Sequence, residues 1–326
     1  MTVSIGKRRR NPRVFVNEGI SHPLRHIIGL GLLAARDTVA FLRHGSAENG
    51  NPCAGDIRRA YAFGTSQSGR YLRQFLYLGL NGDEEERMVF DGVLVHIAGD
   101  KRGGDFNQRF GQPSASLHPT MSNAFPFNDT TSTDPVTGRN DGLLARLEAR
   151  RRLPKIFFTN SSTEYWRGDA SLIHTDAEGE KDVPLPAAVR LYHFAGTQHS
   201  AGGLPLTDTN PVDGARGQQA LNSVDYNPLL RAALVRMDQW VNDEKDPPPS
   251  RYPRLADFTA ATPSQLKGVF AAIPGVGFPA HLPRGRGWSV STSVLIPRAG
   301  WQRSCRRWRA RLIRISCRRS IRMATR

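Results

Sequence analysis

Three residues of the 326-residue chain have the types and chain order that acyl-transfer chemistry needs: Ser66, Glu164 and His199. A serine hydroxyl is a poor nucleophile until a base takes its proton. An imidazole can take that proton, because it titrates near neutral pH, and can pass it to a leaving group. An acid must then hold the imidazole in one tautomer and stabilise its cation. Ser66 stands in Ala60-Tyr-Ala-Phe-Gly-Thr-Ser-Gln-Ser-Gly-Arg70, which reads as a short apolar strand, a tight turn and the start of a helix. Such a turn pushes a serine hydroxyl out of the sheet. Gly64 lies two residues before the serine. The place two residues after it, usually glycine, holds Ser68, and Gly69 follows. The backbone N–H of Gln67, directly after the nucleophile and at the start of the helix, is the expected oxyanion donor.

Each of these residues also has a plain structural reading. Serine is favoured at helix N-caps, so Ser66 alone reads more readily as a cap. Ser68 can take that cap and leave Ser66 for chemistry. His199, approached through Gly196-Thr-Gln, alone reads as a surface-loop histidine, and His96, inside an apolar strand, reads as a core histidine. As the acid, Glu164 ranks first, ahead of Asp169 and then Asp100. Tyr165 and Trp166 read equally as pocket wall or as core.

The elements that must position these groups follow from periodicity. Strands are predicted at 60–63, 88–98, 155–160 and 188–194. Helices are predicted at 31–44, 68–80, 141–151 and 227–242, the last with Asn227 as N-cap, Pro228 in its first turn and a face of Leu230, Leu234, Met237 and Val241. Strands alternating with helices predict an α/β chain with a parallel sheet, whose active residues gather at the carboxyl ends of the strands. Ser66, Asp100, Glu164 and His199 follow four successive strand ends, and Ser-acid-His is the chain order of the α/β-hydrolase fold. Residues 101–140 are too long and irregular for a plain connection and read as an insertion or lid. Residues 161–186 read as mostly loop.

Composition narrows the remaining classes. The net charge of +16 is confined to the ends: residues 284–326 carry 13 arginines and no acid, and residues 1–13 carry five basic residues and no acid. The body between them is nearly neutral, so the overall charge says little about the folded surface. The three cysteines, Cys53, Cys305 and Cys317, have neither a disulfide framework nor metal-site spacing. No apolar run approaches a membrane span and no signal-peptide pattern opens the chain, so the default expectation is a cytoplasmic protein. The chemistry read here calls for no metal and no cofactor.

Several blocks together resemble a bacterial family known as alpha/beta hydrolase domain-containing proteins. They are Gly64-Thr-Ser-Gln-Ser-Gly-Arg-Tyr-Leu-Arg-Gln-Phe-Leu-Tyr77, Val89-Phe-Asp-Gly-Val93, His96-Ile-Ala-Gly99, Phe106-Asn-Gln-Arg-Phe110, Asn160-Ser-Ser-Thr-Glu-Tyr-Trp166 and Ala195-Gly-Thr-Gln-His199. The turn around Ser66 is also similar to that of tannase and feruloyl-esterase-like enzymes. The resemblance implies Ser66 as nucleophile, His199 as base, Glu164 as acid and a small-molecule carboxylic ester as substrate. It covers roughly residues 29–283.

The expected organisation is a non-matching basic segment at 1–28, a hydrolase core at 29–245, a loop-rich extension at 246–283 and an Arg-rich tail at 284–326. The first strands and the loop that normally carries the second oxyanion donor have no counterpart in the sequence. This leads to the expectation of an incomplete sheet and of a fragment or frameshifted reading, with an impaired remnant as the alternative function. The tail suits a nucleic-acid-binding arm by composition, but it holds no binding module, and an out-of-frame reading is preferred.

Overall fold

The computed structural model describes residues 29–102, 125–135, 137–211, 214–261 and 263–279. The predicted basic segment, the tail and most of the insertion lie outside them.

Four strands form one fully parallel sheet in the order β1-β2-β5-β6: β1 (Tyr61–Thr65), β2 (Gly92–His96), β5 (Lys155–Ser161) and β6 (Val189–Phe194). The register runs Phe63 to Leu94 and Leu94 to Phe157, and Phe157 to Arg190. A two-stranded antiparallel hairpin, β3 (Ser132–Thr133) with β4 (Asn140–Asp141), lies within the predicted insertion. The helices are α1 (Leu30–His44), α2 (Gln67–Tyr77), α3 (Ala145–Ala149), α4 (Ser162–Trp166), α5 (Asn227–Asn242) and α6 (Pro263–Ala271).

The alternation of side chains along the strands builds three layers. Ala62, Val93, Val95, Ile156 and Phe158 face Leu72 and Leu76 of α2 and Leu147 of α3. The intervening Leu94 and Phe157 face Ala233, Met237 and Trp240 of α5. Trp240 stacks on Phe157 with ring centroids 5.7 Å apart. Helix α1 packs outside α2, joining Leu32 and Ala40 to Phe75. Residues buried in this way on both faces suit a parallel strand, where each large apolar side chain contributes about 1.5–3 kcal/mol.

The elements correspond to the predicted ones, with differences in α5 and in what the loop segments hold. Tyr226 rather than the predicted Asn227 is the N-cap of α5, and Asn227 is its first residue. The face of α5 is turned from the predicted one: Leu234 is 50% exposed, and Ala233 and Trp240 take its place in the core. Residues 161–186 are mostly loop as predicted, and they also hold the short helix α4, which was not predicted. The loop-rich extension after residue 245 also holds ordered parts. It contains α6, and Arg251 joins β6 by exchanging backbone hydrogen bonds with Leu191 and His193 at 2.9 and 2.7 Å.

Candidate active site

Ser66 closes β1 and opens α2. Its backbone sits at φ 55°, ψ −112°, a conformation that a non-glycine residue rarely adopts. The turn is held from the neighbouring strand: the Ser66 N–H donates to the carbonyl of His96 at 2.8 Å. Two glycines make the turn sterically possible. A Cβ on Gly64 would stand 2.5 Å from the carbonyl oxygen of Ser68, and one on Gly69 would stand 3.0 Å from that of His96. Gly69 thus serves the close helix-to-strand approach one residue later than the usual spacing. Ser66 occupies the N-cap position of α2, yet its side chain makes no capping bond, and Ser68 lies inside the helix rather than capping it. The expectation of Ser68 as cap fails because the unusual backbone at Ser66 starts the helix at Gln67.

The Ser66 hydroxyl instead meets His199, with Oγ 2.9 Å from Nε2. The other ring nitrogen, Nδ1, lies 2.7 Å from Oε1 of Glu164. His199 comes five residues after the end of β6 on a loop docked against α4. Its N–H donates to Thr163 Oγ1 at 2.9 Å, and its carbonyl accepts from the Tyr226 hydroxyl at 2.7 Å. The ordering of this loop therefore comes from side chains on α4 and just before α5. The Gly196 approach serves the turn, with φ 73°.

Glu164 is placed by local chemistry. Helix α4 begins with a capping box in which Ser161 and Glu164 satisfy each other. The Ser161 N–H and Oγ donate to Glu164 Oε2 at 2.8 and 2.6 Å. Oε1 is thereby turned to His199, and it also accepts from Arg167 Nη2 at 3.2 Å. The carboxyl is fully buried. Burial alone would push its pKa up. The hydrogen bond with His199, the charges of Arg167 and His199, and the Ser161 bond outweigh burial and hold it down at about 2.

The other proposed acids are elsewhere in the charge network. Asp169 is buried and its Oδ2 accepts from Arg167 at 3.1 Å, with Lys101 Nζ at 3.8 Å. Asp100 is also buried and, among the described residues, neither carboxyl oxygen has a hydrogen-bond partner. Burial, together with the Asp169 charge, pushes its pKa up to about 7 against the pull of Lys101 and Arg73. Of the three acids, Glu164 is the one bonded to His199.

Gln67 is the first residue of α2, where the helix dipole favours a developing negative charge. Tyr165 is 1% exposed, and its ring lies 4.3 Å from that of His193 and 5.9 Å from that of His174, which makes it core rather than pocket wall. Trp166 packs edge-on against Phe270 and Phe278 of the extension. His96 is a core histidine as predicted, bonded through Nδ1 to Thr159 Oγ1 at 2.8 Å. Arg167 was missed by the sequence reading; a basic residue three places after the acid on a capped helix is the signal that points to it. Among the described residues no group of His, Cys, Asp and Glu could hold a metal ion, and no helix is long and apolar enough to cross a membrane.

Residues 24–267 match the family profile described as an alpha/beta hydrolase domain. The chain belongs to this family. No curated protein and no solved structure matches it. The hydrolase domain therefore spans α1, the four parallel strands, and the Ser66, Glu164 and His199 positions, and it reaches past residue 245 into α6. Membership supports a hydrolase acting on a small molecule.

Proposed function

We propose that the chain is a serine hydrolase that cleaves carboxylic esters through an acyl-enzyme. The observation that carries this reading is the continuous hydrogen-bond chain from Ser66 Oγ through His199 to the buried Glu164 carboxylate. His199 Nε2 takes the Ser66 proton as Oγ attacks the ester carbonyl carbon. The carbonyl oxygen gains the negative charge, and the N–H of Gln67 at the amino end of α2 is its donor. As the tetrahedral centre collapses, the C–O bond to the alcohol breaks and His199 returns the proton to the leaving oxygen. Water then attacks the acyl-serine with His199 again as base, the acyl C–O bond to Ser66 breaks, His199 returns the proton to Oγ, and the carboxylic acid is released. Glu164 keeps the Nδ1 proton in place throughout and stabilises the imidazolium.

The preference for esters over amides rests on the resemblance to esterase-like enzymes. The test is turnover of p-nitrophenyl esters of graded acyl length by the folded protein, with Ser66→Ala as control. Steady hydrolysis abolished in Ser66→Ala supports the reading; equal hydrolysis by both proteins contradicts it.

A further inference from the structure

The proposed triad leaves one group beside it without a role. Arg167, on the turn that ends α4, has a side chain only 19% exposed, and a single nitrogen, Nη2, donates to two carboxylates. One is the Glu164 oxygen that faces His199, at 3.2 Å, and the other is Asp169 Oδ2, at 3.1 Å. Glu164 Oε2 is already filled by two bonds from Ser161. The acceptor capacity left to His199 is therefore shared with Arg167 on the same atom. A cation that shares the acceptor weakens the support the carboxylate gives to an imidazolium. Asp169, held on the same nitrogen, draws the guanidinium the other way.

We propose that Arg167 and Asp169 form a positioning pair that sets how strongly Glu164 pulls on His199, and so the pH below which hydrolysis fails. The inference rests on the serine hydrolase reading for its functional consequence, though not for its electrostatics. The groups that face His199 and Glu164 come from several elements. Arg167 and Asp169 lie at and just after the end of α4, His96 at the end of β2, His193 on β6 and Tyr226 before α5, while Lys101 and Asp100, after β2, face the Asp169 end of the pair, with Lys101 Nζ 3.8 Å from Asp169 Oδ2. Of these, Arg167 is the one cation in direct contact with the acid.

The pair predicts shifts of opposite sign. Arg167→Met leaves Glu164 Oε1 to His199 alone and leaves Asp169 with Lys101, 3.8 Å away, as its remaining cation among the described residues, so the negative charge near His199 grows. His199 then binds its proton more tightly, and the acid limb of kcat/KM moves up by about one pH unit. Asp169→Asn leaves Arg167 wholly on Glu164, and the limb moves down by a similar amount. Arg167→Lys keeps the charge and leaves the limb near its original place. A purely structural role would lower activity without this pattern.

The experiment follows p-nitrophenyl acetate hydrolysis against pH and, in parallel, the NMR titration of His199 in histidine-labelled protein, assigned by its loss in His199→Asn. Opposite shifts in the two variants support the proposal; shifts of the same sign, or none, in folded protein overturn it. If Arg167→Met does not fold, the Asp169→Asn titration decides alone, and an unmoved midpoint overturns the pairing. Opposite NMR shifts in a protein that hydrolyses no ester would sustain the positioning pair and reject the hydrolase reading.

Discussion

Replacing Glu164 with glutamine tests the geometry of the acid in detail. The amide has one acceptor and one donor where the carboxylate has two acceptors. The Ser161 N–H, fixed by the backbone, donates to Oε2 at 2.8 Å, whereas Arg167 lies at 3.2 Å from Oε1 and is partly exposed. The amide oxygen should therefore stay on Ser161, and its NH2 group should face Nδ1 of His199. His199 must then accept at Nδ1 and carry its proton on Nε2, where it cannot take one from Ser66. Loss of the correct tautomer costs about 10³–10⁴-fold in kcat/KM, or roughly 4–5.4 kcal/mol. Stability changes as well. The carboxyl is held from 4.5 down to about 2, which corresponds to about 3 kcal/mol of preference for the anion. Because its folded pKa is depressed, that stability is present above pH 4.5 and lost as pH falls through about 2, so the substitution removes it at pH 7. The assay is kcat/KM on a p-nitrophenyl ester at pH 7.5, with thermal melting to confirm folding. A folded Glu164→Gln variant within tenfold of the parent would refute the argument.

Three other outcomes follow from the packing and charge. Gly64→Ala forces a Cβ to within 2.5 Å of the Ser68 carbonyl oxygen, so the strand-to-helix turn must shift and reactivity at Ser66 should fall by at least about tenfold; full reactivity would contradict the turn geometry. Asp100, whose pKa is raised from 3.8 to about 7, contributes no penalty below pH 3.8 and a growing one as pH rises toward 7. Asp100→Asn should therefore raise the melting temperature more at pH 8 than at pH 4, by an amount corresponding to at most about 4 kcal/mol; an equal effect at both pH values would count against it. His96, His174 and His193 are held down at about 4, 3 and 4, so unfolding takes up protons on them below pH 6.5. His174→Gln should flatten the loss of stability between pH 6.5 and 4, as read by denaturant melts; an unchanged slope would show that His174 is charged in the fold.

What could be read from the sequence was what is encoded locally. The turn at Ser66 is specified within eleven residues, and its strand and helix came out within a few residues of their positions. The placing of Ser66, Glu164 and His199 after the first, third and fourth strands of the sheet follows from the βα alternation, so the candidate triad was legible as well. Helix α4 was missed because five residues are too few to show an apolar period, although its capping box, Ser161-Ser-Thr-Glu164, was in view. The face of α5 was misread because apolar residues lie on both sides of it: Leu234 is exposed, while Trp240 reaches across to Phe157. Arg73 could not be read as buried, because its burial depends on a ring brought from a distant segment. It is fully enclosed above the Phe158 ring.

The central claim is that Ser66 is the nucleophile activated by His199. It is tested most directly by treating the folded protein with a fluorophosphonate and mapping the adduct by peptide mass spectrometry. The expected result is one adduct per chain on Ser66, absent in Ser66→Ala and strongly slowed in His199→Asn. An adduct on Ser68, or none on the folded protein, would contradict the account.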